Sequence, residues 1–314
     1  MLVDALTSAD CDEIREWLSR TPPQIPPKWL YDARGSALYD QITRLPEYYP
    51  TRTERRILND YAASIAHLTQ AKTVIELGAG SPEKSGIVLQ ELGIRGVGKE
   101  FVPVDVSATY LDHIQTSMAT THPEVTVQPI RSDFTKVKPF ATGESPRLVL
   151  FLGSTIGNLD KGERETFLAH VSAGLERGDF FLLGADLKKS RDRLIAAYHD
   201  SEGVTEAFIR NIGAVARTQW GATWPNEHFS YDVQWDNKHA RIDMSLIAHQ
   251  PTTVTIPCLD TALSFEAGDK ILVETSHKFT RESITQELVA SGLSVATTFT
   301  GSNRDFAVLL CTKP

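Results

Sequence analysis

The sequence predicts an α/β protein: a doubly wound, mostly parallel sheet carrying a second lobe of α+β type. Three observations carry this prediction. From residue 73, short apolar runs alternate with helical stretches, the mark of βαβ units whose strands are covered on both faces. After about residue 190 the alternation gives way to segments of alternating polarity, which suit antiparallel strands with one solvated face. The chain then closes on a helical stretch followed by two more strand-like runs.

Residues 8–18 read as an amphipathic helix, with Ser8 or Asp10 as the cap and Ile14, Trp17 and Leu18 at helical spacing. TPPQIPPK (21–28) stops any helix, because proline lacks the amide donor and forces its neighbour extended. An aromatic-rich stretch without clear period follows, then a long helix from after Thr53 to about His67, with Ile57, Leu58, Ile65 and Leu68 apolar. TVIEL (73–77), FVPVDV (101–106), VTVQPI (125–130), LVLFLG (148–153) and DFFLLGAD (179–186) are the expected buried strands, with helices near 83–92, 107–119 and 161–175. Two helices are expected over 190–199 and 203–218, then alternating strands in HFSYDVQW, ARIDMSLIAH and TTVTIP. A helix near 281–291 leads to a terminal hairpin of LSVATTFT and FAVLLCTK. The expected division places residues 53–188 and 279–314 in the sheet domain, and 1–52 and 189–278 in the second lobe.

Composition narrows the function classes. With 41% hydrophobic and 23% charged residues the chain is ordinary for a globular protein, and its net charge of −8 opposes a polyanionic partner. Nucleic acid is therefore not expected. Cys11, Cys258 and Cys311 are too few and too scattered for a disulfide framework or a zinc site, so no metal is expected. The acidic N-terminal stretch lacks the features of a signal peptide, and no apolar run reaches the roughly 18 residues of a membrane span. A soluble, cytoplasmic protein, working as a monomer, is the expectation.

The chemistry starts at VIELGAG (74–80), where Gly78 and Gly80 follow a strand directly. Glycine there lets the backbone turn tightly and lets a ligand come close. The helix that follows offers its N-terminal amides to an anion. The loop departs from the full dinucleotide fingerprint, since Glu83 stands where its third glycine would be. Asp105, at the end of the second strand, suits a pair of ribose hydroxyls. Asp133 and Phe134, after the third, suit an adenine amine and ring. This order favours S-adenosylmethionine over a nicotinamide dinucleotide, and so disfavours an oxidoreductase on the same scaffold. The terminal hairpin favours the methyltransferase version of the sheet, which ends in an antiparallel strand.

Beyond these features, PPKWLYDARGSALYDQITRLPEYYPTRTE (26–54), IELGAGSPEKS, FVPVDV, FLGSTIGNL (151–159), AYHDSEGVTEAFIRN and ETSHKF (274–279) closely resemble the L-histidine Nα-methyltransferases of ergothioneine biosynthesis. The resemblance spans most of the chain. It implies a Rossmann-like class I methyltransferase domain and a substrate-binding lobe, with S-adenosylmethionine as cofactor and L-histidine, trimethylated to hercynine, as acceptor. It implies a cofactor site at Gly78, Lys84, Asp105, Asp133 and Phe134. It places Tyr48, Asn158 and Tyr198 at the backbone end of the substrate, and Glu274 and Ser276 at its imidazole. It also implies that Tyr31, Thr205, Phe208 and Met244 line the same pocket, with Asn158 and Tyr31 in the catalytic positions.

These positions also make chemical sense from the residues. Lys84 can pair with the methionyl carboxylate, and the Asn158 amide can both donate to a carboxylate and accept from an amine. Glu274 and Ser276, two apart in an extended segment, share a face, and one acceptor beside one donor suits a neutral imidazole. Ala79, Pro82 and Ser245 depart from the family's usual residues. Ser245 is smaller than the aromatic expected there, so the pocket wall is expected to differ at that point. An amino acid other than histidine, or a histidine-like amine, is the alternative acceptor.

Overall fold

A computed structural model describes residues 6–135, 142–259 and 262–314. The parts of the expected domains at 1–5, 136–141 and 260–261 lie outside the described residues. The chain divides into two compact units, Met1–Tyr48 with Ser190–Ser276 and Tyr49–Lys189 with His277–Pro314.

The second of these, the sheet unit, opens with helix α3 (Tyr49–Thr69) and continues through β1 (Thr73–Leu77), α4 (Glu83–Ile94), β2 (Glu100–Asp105), α5 (Ala108–Thr121), β3 (Thr126–Val127) and β4 (Ile130–Arg131). Then come β5 (Arg147–Phe151), α6 (Lys161–Gly174), β6 (Phe180–Asp186), α10 (Arg281–Ala290), β12 (Ser294–Thr300) and β13 (Phe306–Thr312). The strands form one eight-stranded sheet in the order β12-β13-β6-β5-β1-β2-β3, with β4 also on β2. β1 runs parallel to β2 and β5, β5 to β6, and β2 to both β3 and β4, while β13 is antiparallel to β6 and β12 to β13. The order reverses at β1, which creates a switch point where ligands of open α/β sheets bind beyond the carboxyl ends of the strands.

Both faces are apolar, which is why TVIEL and RLVLF read as unbroken buried runs. On one face Val74, Phe101, Leu148 and Leu182 pack with Ile57, Leu58 and Ile65 of α3, Val88 and Leu89 of α4, and Ile114 of α5. On the other, Ile75, Val102, Val149 and Phe181 pack with Phe167, Leu168 and Val171 of α6 and Ile284 and Leu288 of α10. Each large aliphatic or aromatic side chain so buried contributes roughly 1.5–3 kcal/mol.

Two boundaries differ from expectation for a shared reason. α3 begins at Tyr49 rather than after Thr53, because Pro50 sits in its first turn, where a missing amide costs nothing. The strand expected over 125–130 splits into β3 and β4 around Pro129, which has no amide to give to the ladder.

The other unit, called here the α+β unit, begins with α1 (Ser8–Leu18), whose cap is Thr7, closing a capping box with Asp10, and not Ser8 or Asp10. Both expected candidates lie inside the first turn, while Thr7 has the extended backbone a cap needs. A short 3-10 turn (Pro27–Leu30) and α2 (Ala33–Ile42) follow, then α7 (Arg191–Ala196), α8 (Val204–Arg210) and α9 (Ile212–Gln219). The single helix expected over 203–218 is divided at Asn211, whose backbone stays helical, with its amide donating to the Ala207 and Phe208 carbonyls, and whose side chain donates to Asp32 (2.7 Å). β7 (Phe229–Asp236) and β8 (Arg241–Ala248) form an antiparallel pair, with β11 (Lys270–His277) on the far side of β8. β9 (Thr252–Val254) pairs separately with β10 (Leu263–Phe265). Cys11 and Cys258, distant in sequence, meet in this unit; burial and the Cys11 thiol push the Cys258 thiol up to about 11. Among the described residues no helix is long and apolar enough to cross a membrane, and no cluster of metal-ligating side chains occurs.

Candidate active site

In the sheet unit the polar groups gather where strands end. Gly78 leaves β1 at φ +63° and donates its amide to the Val104 carbonyl (2.8 Å), which ties the turn to the end of β2. A Cβ there would stand 3.2 Å from the Phe134 ring, so glycine is needed both for the turn and for the aromatic lying against it. Gly80 is also left-handed, and nothing lies within 4 Å of where its Cβ would be, leaving the loop open to a ligand. Its amide donates to Asp105 Oδ2 (3.2 Å), and the Ser107 amide donates to Oδ1 (2.8 Å). Burial nevertheless pushes the Asp105 carboxyl up, with those amides opposing. Asp133 lies two residues past β4 and accepts at Oδ1 from the amide (3.0 Å) and hydroxyl (2.5 Å) of Thr135. Phe134 packs edge-on against Phe151 and Phe167.

Lys84 on α4 is not simply a cation waiting for an anion. Its ammonium pairs with Glu54 of α3 (2.6 Å), whose carboxylate is fully buried and also accepts the Gly153 amide at 2.9 and 2.8 Å. Gly184 of β6 makes room for it, since a Cβ there would fall 1.8 Å from Glu54 Oε1. Glu76 is a second carboxylate missing from the sequence reading. It is buried within β1, its Oε2 has no hydrogen-bond partner among the described residues, and its carboxyl rises to about 8 through burial, with Ser85 and Lys84 opposing. A charged residue inside a buried apolar strand was the legible signal for Glu76. For Glu54 the signal was indirect, a glycine in the interior of a strand.

The loop after β5 carries the remaining group. Ser154 is left-handed, a 3-10 turn spans Thr155–Asn158, and Gly157 lets the His277 backbone approach so closely that a Cβ would meet its carbonyl at 2.7 Å. The next helix, α6, is capped by Asp160 in a capping box with Glu163. Asn158 therefore does not serve as that cap.

The α+β unit gathers the other expected residues. Tyr31 ends the 3-10 turn, with its ring edge-on to Phe208 (5.5 Å) and Tyr39 (5.6 Å). Tyr48 meets Tyr198 edge-on (5.9 Å), and burial first, then Tyr39 and Tyr198, hold its phenol well above the usual value. The Tyr198 hydroxyl is hydrogen-bonded to Ser276 Oγ (2.9 Å), and Tyr231 donates to the Tyr198 carbonyl (2.6 Å). Glu274 and Ser276 are both buried on β11, and Glu274 is among the charges that raise the Tyr231 phenol, after burial and Asp200. Thr205 is buried at the start of α8, where its amide donates to Asp200 (2.8 Å). Met244 is buried on β8 opposite Val233. Ser245 points to the other face of β8 from Met244, so its small size does not alter the Met244 wall. Tyr39 and Tyr231 joined this cluster without having been singled out, because an isolated tyrosine in sequence looks like any core residue.

The residues suit an adenosyl amino acid. An orphaned buried acceptor fits an ammonium, the space over Gly80 fits a ligand backbone, and a carboxylate at the end of β2 fits a ribose. Together with the reversed, antiparallel-edged sheet, these features define a class I S-adenosylmethionine-dependent methyltransferase. The chain belongs to the family of histidine-specific, SAM-dependent methyltransferases, whose model matches residues 10–313. It is 39% identical over 301 residues to the histidine N-alpha-methyltransferase of Mycobacterium tuberculosis (strain CDC 1551 / Oshkosh), covering 96% of this chain and 94% of that one. To the protein of the same name from Mycolicibacterium smegmatis it is 38% identical over 313 residues, covering 100% and 98%. It is 26% identical over 306 residues to ergothioneine biosynthesis protein 1 of Schizosaccharomyces pombe, covering 92% of this chain but 39% of that longer protein. S-adenosylmethionine is thus the cofactor of this enzyme.

Proposed function

We propose that the enzyme methylates the α-amino group of L-histidine, three times in succession, to give hercynine, the first step of ergothioneine biosynthesis. The observation that carries the reading is the pair Glu274 and Ser276, buried on one face of β11 and tied through Ser276 to Tyr198. A neutral imidazole carries one N–H and one acceptor nitrogen, which match the carboxylate of Glu274 and the hydroxyl of Ser276. The names of the full-length relatives support the same acceptor.

In this reading Asp105 holds the ribose, Asp133 and Phe134 the adenine, and Gly78 the backbone turn that admits the cofactor. Glu76 meets the methionyl ammonium, while Lys84, oriented by Glu54, meets the carboxylate. Bound S-adenosylmethionine supplies a methyl group activated by its sulfonium charge. What the chain must add is an uncharged amine, held in line. Asn158 accepts an N–H of that amine and thereby directs its lone pair, and Tyr48 and Tyr198 hold the substrate carboxylate. The Tyr31 ring, backed by Tyr39 and Phe208, restricts the amine's approach, and Thr205 and Met244 close the side-chain pocket. No strong base is required, since the displaced proton can leave to water. The net charge of −8 opposes a polyanionic acceptor such as nucleic acid.

Mass spectrometry after incubation with methyl-labelled cofactor and a pool of amino acids tests the reading. Histidine should gain three labelled methyl groups, and Asn158→Ala should abolish the transfer while keeping its affinity for S-adenosylhomocysteine. Label on another amino acid, with none on histidine, would overturn the assignment.

A further inference from the structure

A buried cluster at the end of β6 has no part in the roles above. Asp186, the last residue of β6, is fully buried and accepts at Oδ2 from the Tyr49 hydroxyl (2.6 Å) and the Lys278 ammonium (2.9 Å). Lys189 binds Oδ1 and donates also to the Tyr49 hydroxyl (2.6 Å) and the Leu187 carbonyl (2.6 Å). The Asp186 amide donates to Ser154 Oγ (2.9 Å), at the head of the loop that carries Asn158. Burial pushes the Asp186 carboxyl up, but Lys278 and Lys189 outweigh it and hold the group below the usual range.

The partners of Asp186 are not scattered along the chain. The polypeptide passes between its two compact units after Tyr48, after Lys189 and after Ser276. Tyr49 is the first residue beyond the first passage, Lys189 the last before the second, and Lys278 the second residue beyond the third. One carboxylate thus fastens the sheet-unit end of every passage. A buried ion cluster adds little to stability over apolar residues of the same volume, but it enforces one geometry. The residues adjoining these passages include Tyr48, Glu274 and Ser276.

We propose that Asp186 is a positioning residue for the amine acceptor, fixing through Tyr49, Lys189 and Lys278 the backbone that carries Tyr48, Glu274 and Ser276. The inference rests on the assignment of those three residues to the acceptor in the preceding subsection. It predicts an effect on the amine that the cofactor does not share.

Tyr49→Phe removes one hydroxyl and keeps the ring, whereas Asp186→Asn removes the buried charge that Lys189 and Lys278 share. KM for histidine should rise about tenfold in Tyr49→Phe, with kcat within about twofold of the parent, because the hydroxyl's two charge-assisted hydrogen bonds, to Asp186 and from Lys189, are lost. Asp186→Asn should lose about 100-fold in kcat/KM. Both should keep the parent's affinity for S-adenosylhomocysteine, measured by calorimetry. If Asp186→Asn does not fold, as judged by circular dichroism, Tyr49→Phe decides alone. A folded Tyr49→Phe with the parent's KM overturns the proposal, and so does a loss of cofactor affinity matching the loss for histidine. Should the parent methylate a different amine, the histidine assignment falls, and the KM of that amine becomes the readout. A raised value then upholds the positioning role, and an unchanged one overturns it.

Discussion

At the carboxyl ends of β1 and β2, backbone holds the candidate cofactor site. The amides of Gly80 and Ser107 clamp Asp105, the Val104 carbonyl clamps the Gly78 turn, and Glu54 is seated by the Gly153 amide and the gap at Gly184. In the α+β unit the corresponding work falls to side chains from separate elements. Tyr31, Tyr48, Tyr198 and Phe208 pack ring against ring, Tyr198 bonds Ser276, and Tyr231 steadies Tyr198. The difference has a physical origin. A site defined by strand ends and amides is built into the sheet's topology and suits a ligand that never changes. A site defined by rings and hydroxyls can be altered one side chain at a time, and so suits the partner that sets specificity. Substitutions in the first region should therefore strike cofactor affinity, and those in the second should strike selectivity.

The largest effect is expected from Gly184→Ala. The added methyl would overlap Glu54 Oε1, displacing a buried carboxylate together with its hold on Lys84 and Gly153. Overpacking together with a displaced charge should cost about 3 kcal/mol or more of stability, read as a lower melting temperature, with S-adenosylhomocysteine binding lost alongside. Parent-like stability and affinity would show that Glu54 is easily rehoused and the backbone cradle less constrained than its contacts suggest.

Next is Asp105→Ala, which should weaken S-adenosylhomocysteine binding by about 2 kcal/mol through loss of a charged acceptor. Calorimetry checks it, and the preference among amino acids should not move. Glu274→Ala makes the opposite prediction. Cofactor affinity stays, while the preference for histidine over phenylalanine in kcat/KM narrows by about 1–2 kcal/mol, because the carboxylate that matches an imidazole N–H, and offers nothing to a phenyl ring, is gone. Reducing Met244 in the same protein should widen the pocket to larger aromatics, measured with tryptophan. Selectivity that moves with Asp105, or cofactor affinity that moves with Glu274, would break the division of labour.

The smallest effect is one of pH. Glu76 has its carboxyl raised by burial from 4.5 to about 8, so between those values the folded chain binds a proton that the unfolded chain does not. That contribution to stability is complete below pH 4.5 and is lost as pH rises through about 8. From roughly pH 7 to pH 9 the loss should be about 1 kcal/mol, and Glu76→Gln should flatten this part of the curve. Denaturant titrations across the range test it, and equal slopes in parent and variant would remove Glu76 as the source.

How far the sequence reaches can be judged from particular residues. Gly78, Asp105, Asp133 and Phe134 were legible because each stands just past an apolar run, and runs of that kind become strands whose ends share one edge. The family motifs pointed to Tyr48, Asn158, Tyr198, Glu274 and Ser276, which spacing alone would have left among ordinary tyrosines and turn residues. Proline misled in both directions: Pro50 was compatible with a helix start that the reading placed later, and Pro129 split a strand that hydropathy had drawn as one.

Local pattern by itself determined the doubly wound sheet, its antiparallel edge, the glycine turn and the acidic strand ends, because these depend on periodicity and on residues adjacent to it. Only the tertiary structure decided that Lys84 is paired with Glu54, that Gly184 exists to admit that carboxylate, that Tyr39 and Tyr231 join the aromatic cluster, and that Asp186 gathers Tyr49, Lys189 and Lys278. Apart from Asp186 and Lys189, three residues apart, these contacts join residues well separated in sequence through a buried charge or ring. The energy of such a contact depends on what excludes water around it, which no short stretch of sequence encodes.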